Sequence, residues 1–589
     1  MHMPRSRASW PVVAALVFGV AACPACKKKA FNRTCEDQGG DASVSRPEFV
    51  RNLSIGNTGW YSSPAVYDLD GDGANEIIVP FYDIGVWDAS GNLLYRLERG
   101  DYHTGRVYAP AVIADLEGDG IVEVVVGGSD GTLAAYEWRG GELQIKPGWE
   151  TASTCTADEC PPENRSLSAD DIDGDGTIEV VFSSTRSSSP PGYEGTNPHV
   201  FVFEPDGSIR PGWPRYDTRT GEGTDLPGGA DSNCYGHSGF GSYGLNTAIG
   251  DVDDDDDLEI IVTYDNHHIQ VFNPDGTAML TDPGYFTRRG SECTDEPMSW
   301  GQFIRWLDYE VEENHYHLHT GEWPHPDWTM WLQWTHSPPA VGDINGDGLN
   351  EVVGVPNIEM DVPYHTYHHA FMVLEGDYDA NSHRSGRRLP GWEELPLSEE
   401  PFYNDDWYPP SVVPAPTLAD IEGDAGLEIL APTSDGHVYA FSPDATLLWR
   451  HDYSRGEALM YATEMAVADL SRDGRPEVVF GTYGEPGTSH GHLVILASNG
   501  EMLHDIALPD QNPDSGNGVG PAACPTIADI DGDGDLEILV LTIDHGLDIF
   551  TVAGSAPNCV PPGADADLYH GLWPTGRGNY LRNGRAPGS

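Results

Sequence analysis

An all-β fold is predicted for this chain, on three observations. A nine-residue acidic loop recurs eight times along the 589 residues. Each copy sits between a short apolar strand, as in PAVIAD or PTLAD, and a β-branched strand, as in EVVVG or EILVL. A third strand usually follows and ends in a turn of the type FEPDGS, FNPDGT or FSPDAT. The shortest interval between loops, 47 residues from Asp68 to Asp115, suits one four-stranded blade. Radially repeated blades make a β-propeller with few exposed sheet edges. Eight loops predict eight blades, or seven if one repeat is misread. The segment PEFVRNLSI near the N-terminus is expected to complete the last blade.

The loops are DLDGDGANE from Asp68, DLEGDGIVE from Asp115, DIDGDGTIE from Asp171 and DVDDDDDLE from Asp251. They continue as DINGDGLNE from Asp343, DIEGDAGLE from Asp420, DLSRDGRPE from Asp469 and DIDGDGDLE from Asp529. Oxygen-bearing side chains at alternate positions around a tight glycine turn converge on a hard cation, and Ca²⁺ takes six to eight oxygens. An EF-hand needs a Glu at position twelve and flanking helices. In the Asp171 copy position twelve is Phe182, inside a predicted strand. The pattern therefore reads as a calcium loop within a β-hairpin.

The expected ligands are Asp68, Asp70, Asp72, the Ala74 carbonyl and Glu76 in the first loop. The second offers Asp115, Glu117, Asp119 and Glu123; the third Asp171, Asp173, Asp175, the Thr177 carbonyl and Glu179. The fourth offers Asp251, Asp253, Asp255 and Glu259, with Asp254 and Asp256 at the usual glycine positions. The fifth offers Asp343, Asn345, Asp347, the Leu349 carbonyl and Glu351; the sixth Asp420, Glu422, Asp424 and Glu428. The eighth offers Asp529, Asp531, Asp533, Asp535 and Glu537. The seventh is the poorest, because Ser471 and Arg472 interrupt it and the arginine stands ready to offset a missing ion. A carboxylate already holding Ca²⁺ is a poor base, so these acids read as structural staples rather than catalysts.

With its recurrent loop and the proline before the inner strand (Pro64, Pro110, Pro339, Pro416, Pro525), the chain resembles the FG-GAP/VCBS repeat family. These are calcium-loop propeller repeats also found in integrin α-subunits. The resemblance covers roughly residues 50–555 and implies several structural Ca²⁺ ions.

The formal net charge of −63 repels nucleic acid and anionic lipid. Residues 1–22 read as an export signal ending in a lipobox, with Cys23 as the lipidated residue, because the apolar run is too short to span a bilayer. A bacterial cell-envelope location follows, lipid-anchored or secreted. Residues 23–48 read as a linker, 49–556 as the propeller with insertions near 278–336 and 357–410, and 557–589 as a tail packing on it. The eight remaining cysteines suggest disulfides. Proximity pairs Cys155 with Cys160, Cys26 with Cys35, Cys234 with Cys293 and Cys524 with Cys559.

The long inserts are where a ligand would be met. Six of sixteen tryptophans lie between Trp300 and Trp334, and eight of twenty-two histidines between His315 and His369. His315, His317 and His319 share one strand face and suit a transition metal, extended by His365, His368 and His369; the alternative is a polar, aromatic lid. The tryptophans either stack on sugars or fill a small local core. Three functions are compatible with the sequence: a binding or adhesion module for carbohydrate or protein, a polysaccharide lyase-like enzyme, and an assembly scaffold. No phosphate loop, nucleophile elbow, HExxH or dinucleotide fingerprint occurs.

Overall fold

The computed structural model describes residues 35–98, 107–128, 131–155, 164–184, 200–214, 244–264, 268–277, 279, 300, 307, 331–334, 336–361, 364–376, 387–400, 413–424, 426–457, 459–516, 518–559 and 572–587. Among them the only helical element is a 3-10 turn at Trp149–Thr151; everything else regular is β-strand.

One hairpin geometry recurs in all eight repeats. The first contains Ala65–Tyr67, Glu76–Pro80, Ile84–Asp88 and Leu93–Leu97 as an antiparallel meander. In every repeat the residue just before the loop is paired across the ladder with the loop's closing Glu. Tyr67 faces Glu76, Asp170 faces Glu179 and Ala528 faces Glu537. Strands leaving the loops, such as Glu123–Gly127 (EVVVG) and Glu477–Gly484, are buried along their whole length. That is why they read as continuous β-branched runs rather than as alternating ones.

Eight sheets carry one acidic loop each. A ninth, Trp331–Gln333 with Asn357–Asp361 and Tyr364–His369, is built from the inserts flanking the fifth repeat. The strand Glu48–Leu53 pairs antiparallel with Leu547–Val552, so the start of the chain supplies the fourth strand of the eighth sheet. Successive loops also touch. The Ile178, Leu258 and Leu427 N–H groups donate to the carbonyls of Leu116, Ile172 and Ile344 in the preceding loops. Asn75 Nδ2 donates to the Asp529 carbonyl, which places the first loop beside the last. Antiparallel sheets that follow one another in chain order, with the last beside the first, are the arrangement of a β-propeller.

The tail enters the middle of this ring. Trp573 N donates to the Val467 carbonyl, and Val467 N donates back to Trp573. Ile527, Ile113, Ala169, Ile249 and Val341 donate in turn to the carbonyls of Pro574, Tyr580, Leu581, Asn583 and Gly584. The Val66 N–H donates to the Tyr580 hydroxyl. Residues 573–584 thus bind the inner strands of seven of the eight repeats, and the sixth is the exception among the described contacts. Arg582 is fully buried and donates to the Ala111 and Gly576 carbonyls and to Thr575 Oγ1.

Two expected disulfides are corrected. Cys35 bonds to Cys559, not to Cys26, and Cys524 is a free, buried thiol rather than the partner of Cys559. Cys35 reaches Cys559 because the Asn558 amide docks on Asp469 while Glu36 N donates to the Asn558 carbonyl. Cys524 instead faces the tail near Gly576. Cys155 is disulfide-bonded, with its partner outside the described residues. The signal segment, Cys23, Cys26, Cys160, Cys234, Cys293 and the trio His315, His317 and His319 also lie outside them.

Candidate metal centres and channel mouth

The acidic loops are held by three repeated hydrogen bonds. The carboxylate at position nine accepts the N–H of the apolar residue at position two in all eight copies, at 2.7–3.1 Å. Position five accepts the N–H of position seven in all eight, at 2.8–3.1 Å. Position one accepts the N–H of position six in six of them, Gly73 onto Asp68 being the first. The chain turns tightly enough only in left-handed geometry, with φ of 72° at Gly71 and 87° at Gly73. Asp254 and Asp256 adopt the same geometry, at 63° and 76°, which aspartate tolerates better than most residues.

Four clusters bring ligand atoms within 4.8 Å of one another: Asp68 with Asp70 and Glu76, Asp171 with Asp173 and Glu179, Asp251 with Asp253 and Asp255, and Asp529 with Asp531 and Glu537. The closing Glu uses one oxygen on the backbone and keeps the other for the loop. Glu428 Oε1 in the sixth loop is buried without a hydrogen-bond partner, as is Asp253 Oδ1 in the fourth. An orphaned buried carboxylate oxygen is costly, and a cation relieves the cost. Burial pushes Glu76, Glu123, Glu179 and Glu537 up to about 7, Glu428 and Glu477 up to about 8, and Glu259 up to about 9. These donors, all hard oxygens, fit a divalent cation.

Not every loop is alike. In the second, Lys146 Nζ ion-pairs with Glu117 and lies 3.2 Å from Glu123 Oε1. In the third, Arg210 reaches Asp173 Oδ2 at 2.6 Å. In the seventh, Arg472 turns outward to Gln38, contrary to expectation, and the buried Asp469 accepts the Asn558 amide at 2.6 Å. Neither Lys146 nor Arg210 was singled out from the sequence. The signal was there in the shared spacing Lys-Pro-Gly-Trp at 146–149 and Arg-Pro-Gly-Trp at 210–213.

Trp300, Trp334, His368 and His369 of the inserts are committed to packing and hydrogen bonds. Trp300 and Trp334 are fully buried in one cluster with Leu332 and Ile358. His368 Nδ1 bonds the Ser398 carbonyl and His369 Nε2 bonds Ser434 Oγ. Burial lowers His369 to about 4.

Inner strands begin at the opposite end of the ring from the loops, and there the segments entering them form an aromatic mouth. The Tyr61 and Tyr108 rings lie 5.0 Å apart, and those of Tyr461 and Tyr483 5.4 Å apart. The Arg165 guanidinium sits 4.6 Å above the Tyr108 ring. A small cavity there is lined by Tyr61, Leu245, Val413, Ala462, Glu464 and Tyr483. Burial raises Tyr61 well above the ordinary phenol range and lowers His336 to about 3.

The profile of the FG-GAP-like repeat matches residues 115–182, from the start of the second loop through the strand after the third. No curated protein matches the sequence. Among solved structures, the chain is similar to rhamnogalacturonan lyase YesW, at 15% identity over 92% of this chain and 81% of that one, with a TM-score of 0.42. It is also similar to BamB from Moraxella catarrhalis, at 12% identity over 86% and 99%, TM-score 0.39. A third is the quinohemoprotein alcohol dehydrogenase from Comamonas testosteroni, at 13% identity over 90% and 81%, TM-score 0.44. The loops, their shared register and the ring order of the sheets make this chain an all-β, propeller-type protein carrying an FG-GAP-like repeat at residues 115–182.

Proposed function

We propose that the chain is a calcium-stabilised, eight-bladed propeller outside the cytoplasm that binds carbohydrate at the channel mouth. The observation that carries this is two pairs of phenol rings, Tyr61 with Tyr108 and Tyr461 with Tyr483, with Arg165 over Tyr108 and a small cavity lined by Tyr61 and Tyr483. Tyr108 and Tyr483 are buried and back the half-buried Tyr61 and Tyr461, whose rings offer flat apolar faces to a sugar, and a few convergent polar groups fix orientation. Glu464 at the cavity accepts the Trp573 Nε1–H and the Arg577 N–H, so the tail forms a floor and ligand enters from one side only. Calcium is the ion of choice for the loops, because their donors are carboxylate and carbonyl oxygens. The Cys35–Cys559 bond supports an oxidising compartment, and lipidation at Cys23 would tether the ring to the bacterial envelope. Among the described residues no helix is long and apolar enough to cross a membrane.

A lyase-like enzyme is the second reading, favoured by Arg165 and His336 near the same mouth. Against it, burial raises Tyr61 well above the ordinary phenol range, which disfavours its phenolate form. The test incubates the chain from residue 27 onward, in calcium, with neutral and acidic polysaccharides and separates the mixtures by size. Co-elution of intact glycan, lost in Tyr61→Ala and Tyr483→Ala variants, supports binding at the mouth. Shortened glycan supports the enzyme, and capture of envelope protein without glycan binding favours a protein ligand.

A further inference from the structure

We infer that the second acidic loop is not a metal site: the ammonium of Lys146 holds the place that a divalent cation takes in neighbouring loops. The inference rests on the calcium reading above. In the first, third and eighth loops the closing Glu converges with the carboxylates at positions one and three. In the second loop the carboxylates at positions three and nine meet Lys146 instead. Glu123 Oε2 accepts the Leu116 N–H, as its counterparts do, and Glu123 Oε1 lies 3.2 Å from Nζ. Glu117, at position three, also pairs with Nζ, and Glu137 Oε1 on the adjoining strand lies 3.6 Å away. The Lys146, Glu123 and Glu137 side chains are all at least 95% buried.

Two carboxylates, Glu117 and Glu123, accept hydrogen bonds from the ammonium, and Glu137 adds an ion pair at 3.6 Å. A calcium ion bound to the same oxygens at about 2.3–2.6 Å would sit against this fixed positive charge and lose two of its ligands to it. Separating the lysine from these carboxylates would leave a buried ammonium without its partners, which is strongly unfavourable.

The internal repeats show that this cation is a substitution at one fixed seat. Lys146 N donates to the Ala135 carbonyl, as Arg210 N does to Val202, Met279 N to Val271 and Leu389 N to Val373. The seat thus holds a basic residue in the second and third repeats and an apolar one in the fourth and fifth. Position three of the second loop has changed with it, since Glu117 is one methylene longer than the aspartate of the first, third and eighth loops. Arg210 reaches Asp173 at 2.6 Å, Glu204 at 3.2 Å and Glu179 only at 3.6 Å, and there Asp171, Asp173 and Glu179 still converge.

The experiment counts calcium ions bound per chain by equilibrium dialysis with metal analysis, using the chain from residue 27 onward and its point variants. Asp529→Asn is expected to lower the count by one, Asp115→Asn to leave it unchanged, and Lys146→Met to raise it by one. A drop of one in Asp115→Asn overturns the inference. So does a folded Lys146→Met chain, judged by circular dichroism, that gains no ion. Should Lys146→Met not fold, the Asp115→Asn arm decides alone. A parent chain that binds no calcium sinks the calcium reading instead, and the Lys146→Met count then still decides whether the lysine blocks the second loop.

Discussion

The Trp149 indole Nε1 donates a 2.9 Å hydrogen bond to the Pro205 carbonyl, tying the end of the second repeat to a turn of the third. The latch recurs around the ring. Trp213 donates to Pro274, Trp300 to Gly376, Trp392 to Pro443 and Trp449 to Ser498, at 2.8–3.2 Å. A propeller is held by contacts between neighbouring blades, so these bonds weld units that cannot bury their faces alone. Trp149→Phe removes the bond while keeping most of the volume. It is expected to cost about 1 kcal/mol, against about 3–5 kcal/mol for Trp149→Ala. Denaturant unfolding of both variants checks the order; equal losses would show that the indole N–H contributes nothing.

Calcium removal should destabilise the loops, because dense carboxylates then repel one another. Glu537→Gln separates charge from scaffold: its amide oxygen still accepts the Ile530 N–H, now at 3.0 Å, but the negative charge is gone. With calcium the variant is expected to lose one ion's contribution, about 3 kcal/mol at a hundredfold excess over Kd. Without calcium it should match or exceed the parent, since like-charge repulsion falls. Thermal melts with and without chelator give both halves, and an equal drop in both conditions would count against a metal at this loop.

The tail should be indispensable to the ring. Arg582 spans from the tail to the Ala111 carbonyl, and its removal leaves several buried acceptors without a donor. Arg582→Ala is expected to cost about 3 kcal/mol or more, because several buried carbonyl and hydroxyl oxygens lose their donor together. Ending the chain at residue 571 should leave the inner strands exposed and the protein prone to aggregate. Size exclusion of the truncated chain checks this; a monodisperse, fully folded product would show that the ring stands without its centre.

The Cys35–Cys559 bond closes a span of 524 residues and fastens the segments at Cys35 and Cys559 beside the seventh loop. Cys559→Ser is expected to cost about 2–5 kcal/mol. Peptide mapping without reduction should recover a Cys35–Cys559 linked pair and an unmodified Cys524, whose buried thiol resists alkylation until unfolding. A Cys524–Cys559 peptide would contradict the fold of the tail.

One pH effect has a definite sign. Burial alone would lower His545, but its hydrogen bonds to Asp544 at 2.7 Å and Asp548 at 3.0 Å push it up to about 9. The ordinary histidine value is about 6.5. The imidazolium's contribution is therefore fully present below about pH 6.5 and is lost as pH rises through about 9. Asp544 meanwhile accepts the N–H groups of Asn512 and Gly520, so the triad pins the turn before the last inner strand. His545→Gln is expected to cost about 2 kcal/mol at pH 6 and much less at pH 10. Urea midpoints at the two pH values test this, and a loss independent of pH would exclude a role for the charge.

What the sequence determined by itself is what local chemistry determines. Alternate carboxylates and glycines within nine residues set the turn; β-branched runs from Glu123 to Gly127 or Leu536 to Leu541 set buried strands; their repetition set the architecture. Even the odd copy was readable, because Asp254 and Asp256 take up the left-handed geometry that glycine supplies elsewhere. The tertiary structure alone decided which distant groups meet. Lys146 is 23 residues beyond Glu123, and nothing local says that its stem turns inward to that carboxylate. Cys559 is only 35 residues from Cys524 yet bonds across 524 residues to Cys35, because both segments dock beside the seventh loop at Asp469 and Asn558. Residues 572–587 carry no strand periodicity at all. They became the centre of the molecule because the inner strands leave backbone donors that must find acceptors, and the tail's carbonyls are the ones within reach.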